Sequence, residues 1–169
     1  FAKLVNKSNN SILSLFTLIR KLGLISNFYS VTIIKNIPVF AGLGGGAANV
    51  ATILKYLFKR RISMSLLNQV EDDVGSDLKL FFYNQGFMKN LGHVINIKKT
   101  HKLFFLLIQP SVKCSTKEIY ARVKSYSKKK RLEANRINTK SSFISHVSKS
   151  GNDLQSIVEK KYPIIKELL

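Results

Sequence analysis

Apolar positions along this chain follow two different periods, and the switches between them mark out its elements. Residues 10–22 place Leu15, Leu18, Ile19 and Leu22 on one side, which predicts a helix. Residues 28–37 are rich in β-branched and aromatic types (Phe28, Tyr29, Val31, Thr32, Ile33, Ile34) and read as a strand. The helical period returns with Val50, Ile53, Leu54, Leu57 and Phe58, and a further helical stretch covers residues 64–70. Three short strands are predicted next, over 79–83, 87–91 and 94–98. Residues 98–102 are basic and lack an apolar period, so a domain joint is placed there, dividing the chain into 1–100 and 101–169. Beyond it, Leu103-Phe104-Phe105-Leu106-Leu107-Ile108-Gln109-Pro110 has the pattern of a strand buried on both faces. Ser115-Thr116-Lys117-Glu118 has capping-box spacing ahead of a helix at Ile119-Tyr120. Residues 128–142 read as a polar linker, and Pro163 as the start of a C-terminal helix.

Between the first strand and the second helix lies Pro38-Val39-Phe40-Ala41-Gly42-Leu43-Gly44-Gly45-Gly46-Ala47-Ala48, with four glycines in five residues. Glycines let the chain take positive φ and let a ligand approach the main chain closely. The first N–H groups of the helix behind them have no intrahelical acceptor, and the aligned peptide dipoles favour an anion there. Residues 38–48 are therefore expected to bind phosphate rather than to form a merely flexible turn. The loop lacks the Gly-Lys-Ser/Thr ending of a P-loop and matches the Gly-x-Gly-x-x-Gly dinucleotide pattern only loosely.

With Ile37 before it and Asn49, Ala51 and Thr52 behind it, this loop resembles the glycine-rich motif of the GHMP small-molecule kinases. Within them it is most like the branch acting on 4-diphosphocytidyl-2-C-methyl-D-erythritol, which reads Ile-Pro-x-x-Ala-Gly-Leu-Gly-Gly-Gly-Ser-Ser-Asp/Asn-Ala-Ala-Thr. A second passage, Val74-Gly75-Ser76-Asp77-Leu78-Lys79-Leu80-Phe81-Phe82, resembles the family's Gly-Ala/Ser-Asp-Val-Pro-Phe-Phe, whose Asp is the catalytic carboxylate. Asn152-Asp153-Leu154, Lys161-Tyr162-Pro163 and Lys166-Glu167 resemble its Asn-Asp-Leu-Glu and Tyr-Pro-x-Ile-Lys-Glu segments, read as helix scaffolding. The resemblance implies a two-domain α/β (α+β two-layer) fold, with an ATP-binding domain over 1–100 and part of a second domain over 101–169. It also implies ATP and Mg²⁺ as cofactors, a cytidine diphosphate-linked methylerythritol as substrate, and isoprenoid biosynthesis as the setting. Asp77 would take the proton of the substrate hydroxyl as its oxygen attacks the γ-phosphorus of ATP. Glu71, Asp72 and Asp73 are expected to face solvent. The alternatives carried alongside are a GHMP kinase of mevalonate or homoserine type and a catalytically silent binding module.

Departures from the family pattern refine these expectations. Ala47 and Ala48 stand where the family has two serines, so phosphate binding would rest on backbone amides. Lys79 stands in place of a proline. In an extended segment it would share a face with Asp77 and could pair with it, although a solvated lysine is favoured. The family's Ala-Lys-Ile-Asn-Leu-like first strand does not appear, nor does its Ser-Gly-Ser-Gly-Pro loop. The chain is therefore expected to be an internal fragment of a longer kinase, with little phosphotransfer on its own.

Composition adds a frame and a rival. With 169 residues and 45% hydrophobic content the chain can bury a core. A single cysteine, Cys114, excludes an intramolecular disulfide and fits a reducing, cytoplasmic setting. The apolar runs are too short for a transmembrane helix, and His93, His101 and His146 lack metal-ligand spacing. The formal charge of +19 raises nucleic-acid binding, with its densest run at Lys128-Lys129-Lys130-Arg131 followed by Arg136 and Lys140. No helix-turn-helix, zinc-finger or stacking motif accompanies that charge, and a basic surface attracting polyphosphate substrates is preferred.

Overall fold

The computed structural model describes residues 10–37, 42–59, 61–127, 137 and 139–169. The chain divides into two compact units, with the boundary between Lys98 and Lys99.

The first unit is built on three helices. Helix α1 (Ser11–Lys21) starts at Asn10, whose side-chain oxygen accepts from the N–H groups of Ile12 (3.1 Å) and Leu13 (3.0 Å). Its buried stripe is Ile12, Leu15 and Ile19. Helix α2 (Gly45–Phe58) buries Ala47, Val50, Ala51 and Leu54, with Ile53, Leu57 and Phe58 packed partly buried against the same core. Helix α3 (Met64–Val74) is capped by Ser63, whose hydroxyl accepts from Leu66 N–H at 3.1 Å, and runs one turn beyond the expected residue 70. A 3-10 helix (Ser76–Phe82) closes the core with Leu78, which is fully buried. A buried leucine or isoleucine of this kind stabilises by about 1.5–3 kcal/mol relative to exposure. Strands β1 (Gly86–Asn90) and β2 (His93–Asn96) then pair antiparallel, Phe87 opposite Ile95 and Met88 opposite Val94.

The second unit contains helices α4 (Thr116–Ala121), α5 (Lys140–Ser148), α6 (Gln155–Lys161) and α7 (Pro163–Leu168). Pro163 opens α7 as predicted. Ser115 caps α4 by accepting from Glu118 N–H at 3.4 Å. The Glu118 carboxylate, however, turns to Arg122 and to Lys161 at the end of α6. Tyr162 donates its hydroxyl to the Lys113 carbonyl at 2.8 Å, and the Asp153 carboxylate accepts from the N–H and hydroxyl of Ser127, both at 3.1 Å.

The result is a mixed helix and strand architecture with one small sheet among the described residues. Three predicted strands are corrected. Residues 28–37 form no ladder among the described residues, and Phe28 is 88% exposed. Arg20 fixes only the entry to this stretch, donating to the carbonyls of Ser26 (3.1 Å) and Asn27 (2.8 Å) and lying over the Phe28 ring. Residues 103–110 are irregular, and Phe104 to Ile108 are exposed rather than buried. β-propensity expresses itself only when a neighbouring strand takes up the backbone groups, and here none does among the described residues. Residues 79–83 fall largely in the 3-10 helix instead of a strand. The linker over 128–142 is also revised at its end. Thr139 and Ser142 form a reciprocal capping box that starts α5, while 128–136 and 138 lie outside the described residues.

Candidate active site

The glycine turn meets the helix as its composition requires. Gly42 and Gly44 have φ of 71° and 64°, and Gly44 in the left-handed region is the N-cap of α2. No side chain caps this terminus, so the first amides of α2 are not claimed by a capping oxygen. Of the predicted phosphate-binding residues, Gly42, Leu43, Gly44, Gly45, Gly46, Ala47 and Ala48 are described, and Pro38, Val39, Phe40 and Ala41 lie outside the described residues. Gly42, Leu43 and Gly46 are exposed, whereas Ala47 is buried in the core and Ala48 is half-buried. The two positions that carry serines in the resembled motif thus differ: residue 47 faces inward and residue 48 reaches solvent.

Asp77 lies beside this turn. It sits in the first turn of the 3-10 helix and is exposed. A methyl group placed on Gly44 would lie 3.7 Å from Asp77 Oδ2 and 3.0 Å from the Phe81 ring. The 3-10 helix therefore brings both a carboxylate and an aromatic floor against the glycine turn. Lys55 of α2 holds it there, donating to the Phe81 carbonyl at 2.6 Å with its ammonium 5.3 Å from the Phe82 ring centre. Ser11 closes the other side, its hydroxyl 3.2 Å from where a methyl on Gly46 would stand.

Sequence reasoning missed part of this arrangement. Lys79 neither pairs with Asp77 nor reaches solvent; it is 4% exposed and ion-paired with Glu71 of α3. At three residues per turn, positions 77 and 79 of a 3-10 helix point to different sides, which is why the extended-strand argument failed. Glu71 is accordingly largely buried rather than solvated, while Asp72 and Asp73 are exposed as expected. The sequence pattern does not single out Lys55 or Ser11, and Phe81 enters it only within the motif that contains Asp77, with no role of its own.

Comparison with known proteins adds a likeness at the level of family. Residues 10–75 match the family of the GHMP kinases N terminal domain, a span that holds the glycine turn and ends two residues before Asp77. Over residues 10–75 the chain therefore resembles the N-terminal domain of the GHMP kinases. Among its relatives is the 4-diphosphocytidyl-2-C-methyl-D-erythritol kinase of Colwellia psychrerythraea, 30% identical over 169 residues that cover 98% of this chain and 55% of that protein. The proteins of the same name from Pelagibacter ubique and Thermodesulfovibrio yellowstonii are 28% and 29% identical, across 99% and 98% of this chain and 60% and 62% of their own lengths. The chain thus spans somewhat over half the length of these curated relatives. No solved structure matches it significantly. No helix among the described residues is long and apolar enough to cross a membrane.

Proposed function

We propose that the whole protein is an ATP-dependent kinase that phosphorylates the 2-hydroxyl of 4-diphosphocytidyl-2-C-methyl-D-erythritol in non-mevalonate isoprenoid biosynthesis. The observation that carries the reading is the approach of the Asp77 carboxylate to Gly44 at the uncapped N-terminus of α2. The acceptor alcohol is taken from the names of the relatives.

In this reading the amides at the start of α2 bind the triphosphate, aided by the helix dipole. Asp77 orients the acceptor hydroxyl and takes its proton while the hydroxyl oxygen forms a bond to the γ-phosphorus. The bond from that phosphorus to the bridging oxygen breaks, and ADP leaves. Among the described residues no three His, Cys, Asp or Glu side chains gather to hold a metal ion. In this reading magnesium would arrive with the nucleotide, with Asp77 as the carboxylate beside the turn, and when bound it would neutralise phosphate charge.

The test supplies the complete polypeptide with Mg-ATP and, separately, the cytidylyl methylerythritol, mevalonate and homoserine. Turnover is expected with the first alone, and Asp77→Asn is expected to lower kcat by about 10²–10⁴-fold. Turnover with either of the other alcohols reassigns the substrate. Full activity of Asp77→Asn, or turnover with none of them, refutes the mechanism.

A further inference from the structure

Two positions beyond Asp77 the chain buries a charge. Lys79 is the one polar or charged residue fully buried among the described residues. Its ammonium is ion-paired with Glu71, a residue of α3. The other Glu71 oxygen, Oε1, is buried with no hydrogen-bond partner among the described residues, so that carboxylate is held through Lys79 alone. Taking two charges out of water is unfavourable, and well-packed apolar residues of similar size serve stability as well or better. What a buried ion pair does supply is direction. Leu78 anchors the 3-10 helix in the core by apolar contact, which is non-directional, and Lys55 ties only its C-terminal end, through the Phe81 carbonyl.

Rotation is the variable that matters at this site. Each residue of a 3-10 helix is turned by about 120° from the last. Fixing Lys79 towards α3 therefore fixes where Asp77 points, on another side of the same helix and against Gly44. Among the described residues Asp77 makes no hydrogen bond of its own that would set its direction. We infer that Lys79 and Glu71 form a positioning pair, which locks the rotation of the 3-10 helix and so holds the Asp77 carboxylate at the glycine turn. The inference rests on the role proposed for Asp77.

The test uses the complete polypeptide. Removing one partner strands the other charge in the interior, so the informative change is the double variant Glu71→Leu/Lys79→Met. It is expected to stay folded while kcat falls by about 10- to 100-fold, as misplacement of a reacting group produces, with KM for ATP within about twofold of the parent. Amide exchange over residues 76–82 should quicken. A folded double variant with parental kcat overturns the inference, and so does parental exchange over 76–82. If the double variant does not fold, the isosteric Glu71→Gln decides by the same exchange measurement: faster exchange supports the pair, and unchanged exchange overturns it. Asp77→Asn separates the two claims, since it should lower kcat by about 10²–10⁴-fold and leave exchange over 76–82 at the parental rate. Full turnover in Asp77→Asn would defeat the role of Asp77, while exchange in the pair variants would still decide whether Lys79 and Glu71 fix the segment.

Discussion

Replacing Gly44 by alanine should damage the protein more than replacing Gly42, and the difference can be worked from the structure. Both residues have positive φ, 64° and 71°, so each substitution carries a left-handed backbone strain of about 1–2 kcal/mol. They differ in surroundings. A methyl on Gly42 meets nothing within 4 Å, whereas one on Gly44 would stand 3.0 and 3.1 Å from two atoms of the Phe81 ring. Such crowding adds about 1–3 kcal/mol, because the ring is part of a packed floor and must shift. Gly42→Ala is thus expected to destabilise by about 1–2 kcal/mol and Gly44→Ala by about 2–5 kcal/mol. Urea denaturation with and without Phe81→Leu turns this into a double-mutant cycle. Coupling of about 1 kcal/mol or more is expected between positions 44 and 81, and less than about 0.5 kcal/mol between 42 and 81. Equal losses at the two glycines, or equal rescue of both by Phe81→Leu, would refute the claim that the ring supports the turn.

Two further outcomes follow from other parts of the molecule. Ala48→Ser, at the half-buried position, should tighten Mg-ATP binding by a few-fold in calorimetry, whereas Ala47→Ser buries a hydroxyl and should lower stability by about 1–3 kcal/mol without that gain. In the second unit, the hydrogen bond from Lys161, with Arg122 behind it, holds the Glu118 carboxyl below its ordinary 4.5, and Glu118 in turn raises Lys161 above 10.5. A depressed carboxyl stabilises above its unfolded pKa and loses that contribution as pH falls through the folded value; the raised lysine loses its share only as pH climbs past the folded value. The parent and Glu118→Gln should therefore differ modestly in urea midpoint at neutral pH and converge in acid, once pH has dropped from 4.5 through the lowered folded value. A constant difference down to that pH would show that the ion pairs are not its source.

The helices were legible because their signal is local. Three- and four-residue spacing identified the stripe of Leu15 and Ile19, and likewise Val50 and Leu54, and the structure buries all four. The hairpin was legible for a related reason, since its two runs are adjacent in the chain and pair with each other. Residues 28–37 and 103–110 have strand composition too, but a strand exists only with a partner, and no local pattern reveals whether one is supplied. Lys79 was illegible in another way. A buried lysine has the same letter as a solvated one, and its partner Glu71 lies eight positions back, across a helix end at Gly75. The importance of Asp77 came from motif resemblance alone. Its approach to Gly44 depends on the turn of a 3-10 helix where an extended segment was expected.

One short helix supplies both the ring beneath Gly44 and the acid beside it. Sequence drift at this place cannot be independent: a larger or smaller side chain at Phe81 would shift the seat of the turn and the reach of the acid in a single movement. Tolerated replacements at positions 44, 77 and 81 should consequently be inherited as sets, and a graft that transplants the glycine turn without its underlying helix would carry over the shape but leave the alignment behind.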